Sequence, residues 1–309
     1  MSRMQDKELP RVDRRAMARS FGAAADTYDD AADLQAMVRA ELLERAVELR
    51  IEPKIVVDLG AGTGAGTPGL KALHPRALVC AVDIAPAMLQ RAAARLDWGD
   101  RHLPWRRRRR FECVAADTLR LPFADGSIDF IFSSLMLQWC DDPDAVFAEI
   151  RRVLSPRGLF LFSSLGPTTL QELRSAWAEV DSHPHVNEFI DVHDLGSALA
   201  RAGFTEPVLD VDRHVRRYAD VNALLRSLQS IGARNTLEQR NRGLTGKSAF
   251  AAMRDAYTRI AGTASDVPAT WEIVYGCCFG AAADGGRHRT QATNPHGETL
   301  IPVGSIKRR

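Results

Sequence analysis

The chain has 309 residues, enough for one large domain or two modest ones and for a substantial hydrophobic core. Hydrophobic residues make up 45% and charged residues 26%, and 41 Lys+Arg against 39 Asp+Glu leave a formal charge of +2. This composition excludes a disordered chain, a collagen-like repeat and a general polycation for nucleic acid, while 5 cysteines without a paired CxxC argue against a disulfide framework or a zinc site.

The amino terminus, MSRMQDKELPRVDRR, mixes both signs of charge and lacks the apolar stretch of a secretory signal. No run of about 18 apolar residues occurs, so a cytoplasmic protein is expected. From Ala31, the residues Leu34, Val38, Leu42, Ala46 and Leu49 recur at helical spacing and predict an amphipathic helix ended by Pro53. Short apolar runs follow at Ile55 to Leu59, Leu78 to Val82, Phe111 to Ala115, Ile128 to Phe132 and Leu159 to Phe162. They alternate with helical stretches near Leu70, from Met88 to Leu96 and from Ala145 to Leu154, the βαβ rhythm of a parallel sheet covered on both faces. Beyond the fifth strand the spacing predicts helices over Thr168 to Val180 and Asp194 to Ala202, a strand over Pro207 to Tyr218, helices over Val221 to Ile231 and Ser248 to Ile260, and a strand over Thr270 to Phe279. The expected architecture is a doubly wound, mostly parallel α/β sheet of seven strands with helical lid insertions over its carboxyl edge. The tail from Ala281 reads as irregular, with a short strand at Leu300 to Ile306.

The densest motif is Val56-Val57-Asp58-Leu59-Gly60-Ala61-Gly62-Thr63-Gly64, an apolar strand running into three alternating glycines. Glycines there let backbone approach a ligand, and Asp83, ending the next strand, offers a carboxylate for both hydroxyls of a ribose. Gly60, Gly62 and Ala65 also satisfy a dinucleotide fingerprint. Against that reading, Asp58 would repel a pyrophosphate but suit a cationic amino-acid group, Asp117 after the third strand suits an adenine amino group, and only one glycine-loop half is present.

This combination resembles the class I, Rossmann-like, S-adenosylmethionine-dependent methyltransferases over about residues 50–165. The resemblance implies that Asp58, Gly60, Gly62 and Gly64 line the methionine end, Asp83 binds the ribose, Ile84 and Met88 pack near the adenine, and Asp117 with Thr118 meets its amino edge. Core packing for Met88 and helix capping for Asp117 are the competing readings. Outside that core, Phe21-x2-Ala24-Ala25-x2-Tyr28-Asp29, Leu137-Gln138-Trp139-Cys140-Asp141-Asp142 and Ser164-Leu165-Gly166-Pro167 with Thr169-Leu170-x-Glu172-Leu173-Arg174 are similar to the malonyl-acyl-carrier-protein O-methyltransferases of biotin synthesis. So are His185-Val186-Asn187, His193-Asp194-Leu195-Gly196, Ile231-Gly232-Ala233-x-Asn235, Leu244-Thr245-Gly246, and Pro268-Ala269-Thr270 through Val274-Tyr275-Gly276.

The resemblance implies methylation of the free carboxylate of a malonyl thioester held on acyl carrier protein. Such a carboxylate is already an anionic nucleophile at neutral pH, so the site needs a cation or donors to orient it more than it needs a base. Arg174 is the leading cation, because it borders Leu170 and Trp177 and has no Asp or Glu three or four positions away on its helix. Tyr28 is a donor to the carboxylate, a cover over the cofactor or a core residue; Gln138 and Trp139 follow strand four where they can shape the acceptor channel, with plain packing the alternative for Trp139; and Asn187 and His185 are weaker candidates with loop capping or solvent exposure as alternatives. Arg106 through Arg110 form a basic run read as a solvated loop, as a docking patch for the acidic carrier protein, or as a nucleic-acid contact. The rival functions are a methyltransferase of this fold acting on another carboxylic acid, a quinone precursor or a protein arginine, a non-enzymatic scaffold, and an NAD oxidoreductase. The chain divides into an N-terminal helical region contributing to the lid (1–50), a cofactor-binding core (51–165), the rest of the sheet with lid insertions (166–280) and a tail (281–309).

Overall fold

The computed structural model describes residues 13–95, 111–231, 233, 246–281, 292–293 and 299–300. Among them run α1 (Arg14–Ala24), α2 (Tyr28–Ala31), α3 (Asp33–Glu48), β1 (Ile55–Leu59), α4 (Thr67–Leu73), β2 (Leu78–Asp83), α5 (Pro86–Ala94), β3 (Phe111–Ala115) and β4 (Ile128–Ser134). A short 3-10 turn (Leu137–Trp139) precedes α6 (Pro143–Val153), β5 (Leu154–Leu165), α7 (Gln171–Ala178), α8 (Val192–Arg201), β6 (Thr205–Tyr218), α9 (Val221–Ser230), α10 (Lys247–Ala261) and β7 (Val267–Phe279). Four helices start where an Asp precedes the apolar pattern: the carboxylates of Asp13, Asp142, Asp191 and Asp220 each accept a first-turn backbone N–H of α1, α6, α8 and α9.

The strands form one sheet in the order β3-β2-β1-β4-β5-β7-β6, parallel except that β7 runs antiparallel to both neighbours. The expected seven strands and helical insertions are all present, and the inner strands are buried on both faces, which is why they read as unbroken apolar runs. One core, including Leu42, Phe130, Phe132 and Tyr257, lies under α3 and α10; the other, including Phe147, Phe160, Phe162 and Phe204, lies under α6 and α8. No helix among the described residues is long and apolar enough to cross a membrane.

Several boundaries differ from the sequence expectation for identifiable reasons. Helix α3 stops at Glu48 rather than at Pro53, and Arg50 takes a left-handed φ of 46° that turns the chain into β1. Strand β5 begins at Leu154, with a bulge between the pairs Ile128↔Leu154 and Phe130↔Leu159 where Arg157 has φ 66°. Helix α7 starts three residues later than Thr168 because the preceding turn is claimed by β7: the Glu272 carboxylate accepts from the Thr168 N–H (2.8 Å) and hydroxyl, and the Leu170 N–H donates to Thr270 O (2.7 Å). In the tail, the described strand is Thr299–Leu300, paired with Ala292–Thr293, and residues 301–309 lie outside the described residues.

Two buried details set stability. Gly276 stands opposite Phe162 across β5 and β7, and a Cβ there would lie 2.1 Å from the Phe162 ring. Asp58, on β1, is 3% exposed; burial pushes its carboxyl up to about 6, against the pull of the Thr67 hydroxyl (2.8 Å) and the Arg39 charge. Gly276→Ala is expected to cost on the order of 1–3 kcal/mol by overpacking, measured by urea unfolding; unchanged stability would contradict the contact. Because folded Asp58 holds its proton above the ordinary carboxylate range, its contribution to stability is present at pH 4 and is lost as pH rises through about 6. Wild type should therefore lose on the order of 2 kcal/mol relative to Asp58→Asn between about pH 4 and 7, and a pH-independent difference would refute the burial argument.

Candidate active site

The order of strands reverses between β1 and β4, which opens a crevice at their carboxyl ends. The glycine loop rises there with Gly60, Gly62 and Gly64 at φ 73°, 55° and 75°, a conformation that side chains resist. Their spatial needs differ. A Cβ on Gly60 would strike the Met136 side chain (2.4 Å) and one on Gly64 would strike Ala92 (2.6 Å), whereas at Gly62 nothing lies within 4 Å. Gly62 is thus where backbone is open to a ligand. Asp83 fixes the loop: its carboxylate accepts from the N–H groups of Gly62 (2.9 Å) and Ala85 (2.8 Å), and burial raises its pKa against these bonds.

A cavity opens beside this loop, bounded by Gly60, Gly62, Asp83, Ile84, Met88, Asp117 and Thr118. The structure brings these residues of the sequence expectation together at one cavity. Asp117 also serves locally, as its Oδ1 accepts from the Leu119 N–H (3.0 Å) while Oδ2 faces Arg14 (3.4 Å), which reaches on to Asp141 (2.9 Å). Asp58 and Gly64 do not border the cavity. The Asp58 side chain points below the loop to Thr67 of α4, and Gly64 is packed against α5, so both support the loop from behind.

A second cavity adjoins the first and shares Phe21, Tyr28, Leu135 and Trp139 with it. Phe21 and Trp139 meet edge to face with centroids 5.0 Å apart, joining α1 to the turn after β4. Burial and the Asp83 charge push the Tyr28 phenol up to about 12, so it is a protonated donor at neutral pH. Leu34, Leu165, Leu170, Leu173 and Phe189 make much of the remaining wall, with polar groups from Gln138, His185, Asn187 and Trp271. Gln138 Nε2 donates to Leu135 O, and the His185 ring stacks on Trp177 at 3.7 Å with Nε2 2.9 Å from Asp181.

Arg174 departs from expectation. It does not border the cavity; its guanidinium donates to the carbonyls of Pro167 (2.8 Å) and Thr169 (3.0 Å) and holds the turn before α7. Counting nearby carboxylates missed this, because its acceptors are backbone oxygens at the start of its own helix. Sequence reasoning also missed Arg14, Glu272 and Trp271; the last sits in the Pro268 to Gly276 motif, where alternation along β7 was the available signal. The Arg106 to Arg110 run lies outside the described residues.

The first cavity fits an adenosine-bearing sulfonium cofactor: open backbone at Gly62, a carboxylate at Asp83 that can receive vicinal hydroxyls, apolar Ile84 and Met88 for a base, and the polar edge of Asp117 and Thr118. Residues 57–162 match the methyltransferase domain family model. In structure the chain is similar to a Bacillus halodurans methyltransferase (TM-score 0.55, 16% identity, covering 79% of this chain and 99% of that one) and to YcgJ of Bacillus subtilis (TM-score 0.54, 14% identity, 79% and 100%), which shows the fold. In sequence it is 42% identical over 308 residues to the malonyl-[acyl-carrier protein] O-methyltransferase of Halorhodospira halophila, covering 99% of each chain. It is 46% identical over 277 residues to the enzyme of that name from Laribacter hongkongensis, covering 88% of this chain and 91% of the other. A methyltransferase core with a second, adjoining cavity, matched over 99% and 88% of its length by these relatives, means that the chain belongs to the malonyl-[acyl-carrier protein] O-methyltransferase family of S-adenosylmethionine-dependent enzymes.

Proposed function

We propose that the protein transfers the methyl group of S-adenosylmethionine to the free carboxylate of a malonyl thioester on acyl carrier protein, making the methyl ester that enters the pimeloyl stage of biotin synthesis. Two adjoining cavities with a common wall at Phe21, Tyr28, Leu135 and Trp139 are what transfer between separately held donor and acceptor requires. S-adenosylmethionine, when bound, supplies a methyl carbon activated by its sulfonium centre. The chain's part is to hold and align. Gly60 and Gly62 offer backbone to the methionine moiety, Asp83 takes the ribose hydroxyls, Ile84 and Met88 flank the adenine, and Asp117 with Thr118 meets its amino edge.

On the acceptor side, the carboxylate has a pKa near about 4 and needs no general base. The Tyr28 phenol, protonated at neutral pH, donates to it at the shared wall. Gln138, Trp139 and Asn187 shape the channel, and Arg174 acts at one remove, holding the turn that presents Leu170 and Leu173. The Arg106 to Arg110 run provides the charge for docking an acidic carrier protein.

Incubated with S-adenosylmethionine, malonyl-acyl carrier protein should gain one methyl group by mass spectrometry and acetyl-acyl carrier protein none; no gain on malonyl would overturn the acceptor assignment. Tyr28→Phe should lower kcat/KM for the malonyl carrier by about 10- to 100-fold, the loss of one hydrogen bond to a charged group, with cofactor affinity held within about threefold. An unchanged rate would remove Tyr28 from the chemistry. Turnover of the carrier-bound substrate should fall with rising salt, and replacing Arg106 to Arg110 by Ser should flatten that dependence; an equally steep dependence in the variant would place docking elsewhere.

A further inference from the structure

The acceptor cavity contains a buried donor that the proposed chemistry does not use. Trp271, on β7, is 4% exposed and borders the cavity, and its Nε1–H has no hydrogen-bond partner among the described residues. An indole N–H can only donate, and a buried donor without an acceptor is rare enough in native proteins to need an explanation. Two other residues of the same cavity carry buried acceptors without a partner among the described residues, Gln138 Oε1 and Asn187 Oδ1. The Gln138 amide is oriented by its Nε2 bond to Leu135 O, which leaves Oε1 as the free atom.

A cavity walled largely by apolar side chains, in which one donor and two acceptors lack partners among the described residues, suits an aliphatic chain that bears both carbonyl oxygens and amide N–H groups. The acyl-thioester end of a phosphopantetheine arm has that composition: a thioester carbonyl followed by amides. The position of Trp271 agrees. Leu165 at the end of β5 pairs with Ile273, and Trp271 lies two residues further toward the carboxyl edge of β5 on the same face, beside the Thr270 carbonyl that receives the Leu170 N–H.

We infer that Trp271 is a specificity-determining residue whose Nε1–H donates to the thioester carbonyl oxygen of the acceptor. The inference rests on the malonyl-thioester reading given above. In a malonyl group a single methylene separates that carbonyl from the carboxylate, so fixing the one oxygen restricts where the nucleophile can lie relative to the wall at Tyr28 and Trp139. Trp271 thereby favours a carbonyl at this distance from the carboxylate over an acceptor without one.

The test compares wild type and Trp271→Phe on the malonyl thioester and on a thioether analogue that keeps the carboxylate but has methylene in place of the thioester carbonyl. Wild type should favour the thioester by about tenfold in kcat/KM; the variant should lose that advantage on the thioester while matching wild type on the thioether, with cofactor affinity unchanged. The same pattern is expected with 3-benzothienylalanine at position 271, which keeps the ring shape and replaces N–H by sulfur, so a packing defect in the Phe variant is distinguishable. Equal losses on both substrates, or no loss on either, would overturn the role of Trp271 alone. Failure of wild type to methylate the malonyl thioester would instead overturn the acceptor reading, and the inference with it.

Discussion

The edge-to-face contact between Phe21 and Trp139 joins parts of the chain that are far apart in sequence, and with Tyr28 and Leu135 it forms the wall on which both cavities depend. One side of the contact hangs from the N-terminal helices and the other from the turn after β4. The α1 helix is tied to the sheet edge by Arg14, which borders the first cavity and bonds to both Asp117 and Asp141. The N-terminal residues are therefore as much a part of the site as the glycine loop. In the proposed reading this division makes a widely used fold selective: the sheet edge supplies a place for the donor, and the added helices supply a place for the acceptor.

The second cavity has its own anchor. Glu272 and Thr270 on β7 grip the segment before α7 through side chain and backbone alike: Thr169 Oγ1 donates to Glu272 O and accepts from the Glu272 N–H, each at 3.1 Å, while Glu172 accepts from the Thr270 N–H at 3.0 Å. Leu170 is held in a left-handed conformation, φ 54°, at the centre of this clasp. Arg174 closes it from the helix side. A strained residue kept by so many bonds is expected where wall position matters more than local comfort, and Leu170 and Trp271 enter the cavity from the two sides of the clasp.

The parts of the molecule legible in the sequence are those set by local pattern. Buried parallel strands read as continuous apolar runs, Leu34, Val38, Leu42 and Ala46 marked the buried face of α3, and Gly62 with Asp83 marked the sheet-edge cavity. What was not legible depends on partners brought in from a distance. Asp58 and Asp83 are both acidic residues of β-strands beside a glycine loop, yet one points beneath the loop to Thr67 and the other holds the loop open. Arg174 has no carboxylate at helical spacing, and its actual acceptors are backbone carbonyls of a turn whose shape the local sequence does not specify. Trp271 gave no sign of its unpaired N–H, since that depends on what the rest of the cavity fails to offer it.

The central claim is that donor and acceptor occupy separate cavities and meet at one aromatic wall. The most direct measurement is a crystal structure of the protein with S-adenosylhomocysteine and a non-reactive malonyl-thioester mimic bound together. The account predicts the nucleoside beside Gly62 and Asp83, the acyl chain beside Leu170 and Trp271, and the carboxylate at Tyr28 and Trp139. An acyl chain in the first cavity, or on a surface that does not reach this wall, would contradict it.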